Sequence, residues 1–578
     1  MTPFGIAELR ADLVAGRLTA ADAVRRAYDA LAKLDSVVIS WVPEEAALAL
    51  AGGDILDRPL GGVPFAVKDN IDVAGAGTTA GCPSYRYVPT VSASAVERLI
   101  AAGAIPIAKT NLDQFATGLV GTRSPYGTPR NAFDRARVPG GSSSGSAVAV
   151  AAGAVPFALG TDTAGSGRVP AAFNGIVGLK PTRGWISARG VVPAVRSVDC
   201  VSVFALTVDD AWAVVQATAG YDEGDDYSRT RTPATAHRLP LRVGVVEGTP
   251  IDATTLHSVD YGGERLDLVP IDISTLQEAG RLLYGGPMVA ERLAAVGGFL
   301  REEHDGVDPT VREIILGGQR WTAVDAAASA YELARLRRLA SSVWRDVDAI
   351  VHPTAPRLPL ISEVMADPIG VNAELGVFTT FTNLLDLCAV AIPVGLRNGL
   401  PASVSVLAPA WADALAAELA SSIHLAAGGM RGATGSPWRG PAWSVPEAGT
   451  STVELAVVGA HLRGQPLHHQ LTDLDARFVA ATSTTPDYRL YALAATDPPK
   501  PGLVRVAAGA GTSIEVETYR LSPENFGRFV AAVPPPLCIG TITTVLGPVS
   551  GFLCEPIGIE GAIDISSFGG WRAFREKG

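Results

Sequence analysis

One stretch constrains this chain more than any other: Pro139 to Pro170, PGGSSSGSAVAVAAGAVPFALGTDTAGSGRVP. A glycine–serine loop opens it, an Ala/Val segment follows, and a second loop, Thr161-Asp162-Thr163-Ala164-Gly165-Ser166-Gly167, closes it. If the Ala/Val segment folds back between the loops, Ser142 and Ser166, 24 positions apart, become neighbours. A serine hydroxyl is a poor nucleophile until a base removes its proton. No histidine stands near either loop, the nearest downstream being His237, and neither serine sits in a G-x-S-x-G elbow. Upstream, Val63-Pro64-Phe65-Ala66-Val67-Lys68-Asp69-Asn70 ends an apolar run in a lysine. A desolvated lysine loses its proton near neutral pH and can serve as base. Backbone N–H groups of the second loop can converge on one point, as an oxyanion hole requires. Phosphate binding is the competing reading, but the Gly-Lys-Ser/Thr ending of a P-loop and the G-x-G-x-x-G of a dinucleotide site are both missing. A lone Gly/Ser run would read as a structural turn. Two such loops around one apolar segment, preceded by Lys68, favour catalysis.

The remainder of the chain reads as a scaffold for that stretch. With 578 residues it exceeds one core and predicts two or three domains. Residues 5–50 read as helices, with Thr19 and Asp22 as a weak capping box and Val24, Ala27, Tyr28 and Leu31 at helical spacing. Strands are expected at Val63–Val67, Ile105–Ala108, 176–180, 242–246 and Asp348–Val351, alternating with helices such as Ala93–Gly103, 274–300 and 321–345. Such alternation implies an α/β domain, a sheet covered by helices. Residues 221–240 read as an exposed connection. Residues 426–451 break every periodicity and are taken as a linker between a domain at 1–425 and one at 452–578. The second domain reads as α+β and β-rich, with short strands and one helix at Pro523–Ala531.

The net charge of -11 argues against nucleic acid or an anionic membrane as the main partner, without excluding a small anionic substrate held by a local arginine. The five cysteines lack C-x-x-C spacing, so no zinc site and no disulfide framework is expected, and a reducing cytoplasm fits. The N-terminus lacks the pattern of a signal peptide, and the longest apolar run is too short to span a bilayer.

Lys68 in GGVPFAVKDNIDVAG, with Ser142 and Ser166 in PGGSSSGSAVAVAAG and LGTDTAGSGRVPAAFNGIVGLKPT, resembles the amidase signature family over about residues 5–425. The resemblance implies a mixed β-sheet wrapped in helices and a Ser-cisSer-Lys unit. Ser166 would be the nucleophile, Ser142 the proton relay after a non-proline cis peptide, and Lys68 the base. Backbone N–H groups of Thr163, Ala164, Gly165 and Ser166 would form the oxyanion hole. Ser144 departs from the glycine that many members carry, and Thr249–Leu268 looks short for the family.

The segment Leu283–Arg292, LYGGPMVAER, resembles the corresponding segment of allophanate hydrolases, where a tyrosine and an arginine eight positions later hold the substrate carboxylate; Tyr284 and Arg292 match that spacing. On the segment alone, an equal alternative is a helix face on which Arg292 pairs with Glu291 or another acid. Gln114 and Gly118 are carried as further substrate contacts, equally compatible with packing. The tail 453–578, including VELAVVGAHLRGQPLHHQL and DISSFGGWRAF, resembles the C-terminal domain of the same family. Together these imply hydrolysis of allophanate, with no cofactor or metal, and a homodimer. In the tail, His468 is the favoured acid for decarboxylating the first product and His461 the second choice, against a reading of both as loop histidines. Tyr488, Arg489 and Lys500 are weaker carboxylate holders. Asp162 and Arg168 are expected to pair beneath the second loop, and His352 to shape the pocket wall. An amidase of another substrate, with the tail used for assembly, and a non-catalytic scaffold are the remaining alternatives.

Overall fold

The computed structural model describes residues 5–231, 239–261, 263–440, 453–474, 476–494 and 496–577. The chain divides into two compact units, one through residue 446 and the other from residue 447. The first is built on an eleven-stranded mixed sheet. Its spatial order is Val38–Trp41, Ile105–Thr110, Pro64–Lys68, Phe157–Asp162, Cys200–Ala205, Val177–Lys180, Leu387–Arg397, Leu400–Pro409, Ala349–Pro353, Arg242–Val246 and Asp267–Ile271. Pro64–Lys68 runs parallel to both neighbours, whereas Phe157–Asp162 is antiparallel to Cys200–Ala205.

The Ala/Val segment of the opening stretch forms the helix Ser144–Ala151, every residue of which is buried. Its small side chains let the backbone approach neighbouring loops: a Cβ at Gly145 would lie 2.6 Å from the Asn111 amide nitrogen. The chain then returns as the fully buried strand Phe157–Asp162, so the two glycine-rich loops do come back to one sheet. Phe65 and Phe157 stack across adjacent parallel strands with ring centroids 5.0 Å apart, which ties the strand ending in Lys68 to the strand ending in Asp162.

Several local readings hold. Thr19 caps the helix Ala20–Leu31, accepting from Asp22 N. Helices occupy Ser94–Ala101 and Ala323–Ala340. Others change. Val38–Trp41 is a strand inside the stretch read as helical, consistent with its β-branched and aromatic content. The expected helix at 274–300 is two, Ser274–Gly285 and Val289–Leu300, separated where Gly286-Pro287 interrupts the backbone pattern. The short segment 249–268 holds a helix, Ala253–Ser258, and a small hairpin.

The start of the segment read as a linker is fastened to the first unit: Gly432 N donates to Gly175 O (2.7 Å), Ala433 N to Ala151 O (3.1 Å), and Arg431 pairs with Glu8 (2.8 Å). Its residues 441–451 lie outside the described residues, as do 232–238 of the expected connection at 221–240.

The second unit has a five-stranded sheet in the order Arg477–Ser483, Glu515–Leu521, Val453–Val457, Gly547–Cys554, Leu537–Thr544, and a smaller three-stranded sheet. Its own core includes Leu455, Val457, Tyr519, Phe529 and Trp571. The helix Pro523–Ala531 stands where the sequence places it. Among the described residues, no helix is long and apolar enough to cross a membrane.

Candidate active site

Lys68 ends its strand fully buried, and its ammonium donates to Ser142 Oγ at 2.8 Å and to Thr161 Oγ1 at 2.7 Å. The peptide bond between Gly141 and Ser142 is cis. Burial pushes the Lys68 pKa down to about 7; Asp113, Asp199 and Asp162 pull the other way, and the charge of Arg292 lowers it further. Thr161 also accepts from Asn70 Nδ2 at 3.4 Å, so one threonine links Lys68 to the following turn. Sequence reasoning did not single out Thr161, because a threonine in a strand looks like an ordinary β-former.

Ser166 stands on the loop that follows Thr161 and is 2% exposed. That loop is held from beneath by Asp162. Its carboxylate accepts from Gly165 N and Gly167 N, each at 3.0 Å, and takes Arg168 in a two-pronged pair at 2.9 Å. Burial works to raise the Asp162 carboxyl, but Arg168, Lys180 and the Gly167 N–H outweigh it and hold it below the ordinary carboxylate value. Arg168 continues to Thr382 Oγ1 (2.8 Å) and Thr379 O (3.0 Å). Thr163 Oγ1 donates to Asp199, Thr379 Oγ1 donates to Ala164 O (2.7 Å), and Asn383 Nδ2 donates to Asp162 O (2.7 Å). Gly165 has φ +127, and a Cβ there would press into Thr379, so only glycine fits.

The N–H groups of this loop are not all alike. The Gly165 N–H is committed to Asp162 Oδ1, leaving Thr163, Ala164 and Ser166 as the N–H groups of the loop without a protein acceptor among the described residues.

Arg292 lies on the helix Val289–Leu300 and is 1% exposed. Its Nη1 donates to Thr117 Oγ1 (2.9 Å), Ala116 O (3.3 Å) and Phe115 O (3.4 Å), and its Nη2 donates to the Tyr284 hydroxyl (3.3 Å). The spacing of eight thus brings Tyr284 and Arg292 together. The alternative pairing with Glu291 does not occur: that carboxylate accepts from Ser197 N (3.0 Å) and Ser197 Oγ (2.6 Å).

Gln114 bonds to backbone groups of the segment at 306–308. Its amide donates to Gly306 O (2.5 Å) and accepts from Asp308 N (2.7 Å), which anchors a distant loop. Gly118 packs on Asp113, since a Cβ there would lie 2.5 Å from Asp113 Oδ2. His352 is buried near Phe378 and Phe381, and burial pushes its pKa down to about 3.

In the second unit, His461 is half-buried, stacked on Phe552 with centroids 5.2 Å apart, and bonded through Nε2 to Gln470 Oε1 (2.9 Å). Burial lowers its pKa. The neighbouring His468 points Nδ1 at His461 O (3.2 Å) and sets its ring 5.8 Å from Tyr519. Tyr488, weakly expected to hold a carboxylate, is fully buried. Its oxygen accepts from Arg505 Nη2 (2.7 Å) and Thr543 N (2.8 Å), a core role. Arg489 reaches Ala510 O and Asp564. Among the described residues, no group of three or more His, Cys, Asp or Glu could hold a metal ion.

Comparison with known proteins adds family context. The amidase family model matches residues 18–416, and the model of the allophanate hydrolase C-terminal domain matches residues 453–576. The urea amidolyase of Saccharomyces cerevisiae is 43% identical over 547 residues, covering 90% of this chain and 30% of the relative. The chain therefore spans about a third of the length of the urea amidolyases it matches. A glutamyl-tRNA(Gln) amidotransferase polypeptide of Deinococcus deserti is 36% identical over 422 residues, covering 66% of this chain and 86% of that polypeptide. The solved structure of a Kluyveromyces lactis allophanate hydrolase superposes with TM-score 0.84 at 37% identity, covering 100% of this chain and 99% of that one.

Proposed function

This chain belongs to the amidase family, and on that premise we propose that it hydrolyses allophanate, the anion of N-carboxyurea. One observation carries the choice of substrate: Arg292, buried beside Tyr284, has only neutral oxygens around it among the described residues. A guanidinium stays charged at any working pH, and a buried one without an acid is matched to an anion from outside the chain. A carboxylate-bearing amide meets that demand.

The reaction follows from the groups at hand. Neutral Lys68 accepts a proton from Ser142, which takes one from Ser166 as Ser166 Oγ bonds to the terminal amide carbon. The oxyanion so formed is stabilised by the N–H groups of Thr163, Ala164 and Ser166. As the C–N bond breaks, the proton returns through Ser142 to the departing nitrogen, and ammonia leaves. Water, deprotonated along the same relay, then splits the acyl–Ser166 ester to give N-carboxycarbamate. In the second unit, His468, with His461 behind it, protonates the carbamate nitrogen as carbon dioxide departs. Each allophanate thus yields two ammonia and two carbon dioxide or bicarbonate. A cytoplasmic homodimer completes the proposal by resemblance, and sedimentation tests the dimer.

Incubation with allophanate, with ammonia and carbon dioxide measured separately, is the test. Ammonia from other small amides but not from allophanate would refute the substrate. In the Ser166→Ala variant both products are expected to vanish. The His468→Ala variant is expected to release the first ammonia while carbon dioxide lags; unchanged carbon dioxide would remove His468 from the scheme.

A further inference from the structure

The turn that holds Arg292 is built in an uncommon way. Phe115 and Ala116 are consecutive non-glycine residues with positive φ, 50° and 53°, a region few such residues adopt. Their conformation is fixed from several sides. Phe115 N donates to Ala80 O (2.9 Å), and the Phe115 ring lies edge-on to Tyr85 with centroids 5.2 Å apart. Thr117 N donates to Gln114 O (2.9 Å), and Arg123 Nη1 donates to Thr117 O (2.9 Å). In this conformation two carbonyl oxygens and one hydroxyl face a single nitrogen of Arg292. The hydroxyl makes the shortest of the three bonds, 2.9 Å, and passes its own proton to Phe115 O at 3.2 Å, so a lone pair faces the guanidinium.

We propose that the Phe115–Thr117 turn determines specificity for anionic substrates, with Thr117 as the positioning residue of Arg292. The turn fixes the guanidinium through neutral dipoles and leaves its whole charge for the substrate carboxylate; this rests on the reading of Arg292 as the carboxylate holder. An aspartate at position 117 could position Arg292 as well but would cancel the charge. Threonine supplies direction without neutralisation, and the strained backbone beside it supplies two further acceptors in the same sense. Thr117 is fully buried, so valine fills its space while removing both hydrogen bonds.

The test uses two stable probes. Malonamate carries a carboxylate and a terminal amide; malonamide replaces that carboxylate with a second neutral amide. Binding of each to the full-length Ser166→Ala protein is measured by calorimetry, then repeated with Thr117→Val and with Thr117→Ser added. Thr117→Val is expected to weaken malonamate about tenfold, the scale of a hydrogen bond to a charged group, and to leave malonamide unchanged. Thr117→Ser, which keeps the hydroxyl, is expected to restore malonamate binding. An equal loss for both probes, no loss for malonamate, or failure of Thr117→Ser to restore it overturns the proposal. If wild-type protein releases no ammonia from allophanate while the tenfold difference persists, the substrate reading fails and the role of Thr117 stands.

Discussion

At the scale of single residues, the proposed role of Lys68 as base sets a pH dependence. Burial brings Lys68 down to about 7, and only its neutral form can accept the Ser142 proton. The rate of ammonia release is therefore expected to rise with pH, with an inflection in kcat/KM near 7, and to fall away on the acid side as the ammonium form accumulates. A profile flat from pH 5 to 9 would remove Lys68 as the base. Thr161 supplies one of the two hydrogen bonds that aim the Lys68 nitrogen. Thr161→Val is expected to lower kcat about 10- to 100-fold with less effect on KM, since aim rather than binding is lost. Lys68, Ser142 and Ser166 stood out in the sequence as an amine and two hydroxyls on apolar and glycine-rich segments, whereas Tyr284 and Arg292 were singled out by family resemblance; the structure brings Lys68 to Ser142 and Arg292 to Tyr284. The residues that aim them did not stand out. Thr161 and Thr117 carry no signal in a single sequence, and Gln114, open in the sequence between substrate contact and packing, bonds to Gly306 and Asp308. Side-chain amides bond loops and ligands with equal ease, and only the partner tells which.

At the scale of elements, the loop carrying Ser166 is a connected polar cage around the Asp162–Arg168 pair. Removing one partner of a buried pair leaves the other charge stranded, at a cost of about 3–5 kcal/mol. Arg168→Met is expected to lower the unfolding free energy by that amount in urea titration, and to lose ammonia release with it. Gly165→Ala meets both the positive φ and Thr379; it is expected to cost at least about 1–3 kcal/mol and most of the activity, read by the same two measurements. The strands and helices around this loop were largely legible, since Val63–Val67 and Ile105–Ala108 are short apolar runs bounded by glycine and polar residues. Val38–Trp41 was not, because a four-residue strand inside an Ala-rich stretch is outvoted by helical periodicity, and its pairing with Ile105–Thr110 is a long-range fact.

At the scale of the whole molecule, each unit has its own core, so a chain stopped after residue 446 is expected to fold and to release the first ammonia from allophanate at a rate within a few-fold of the full chain. Carbon dioxide should then appear only as fast as the free intermediate decomposes; mixing in the separate second unit should speed it. The division at 446–447 lies inside the segment 426–451 where periodicity breaks, and the part at 427–440 is strapped to the first unit by backbone bonds that no composition signals. One strand joins the chemistry to this architecture. Thr161 and Asp162 are consecutive residues of Phe157–Asp162; the first bonds Lys68 and the second braces the Ser166 loop. Successive side chains of a strand point to opposite faces. Loss of one residue in that strand would bring the Asp162 carboxylate to the place of Thr161 beside Lys68, lock it as the ammonium, and leave the loop without its brace. Natural variants of this fold should accept substitutions along the strand far more readily than any change in its length.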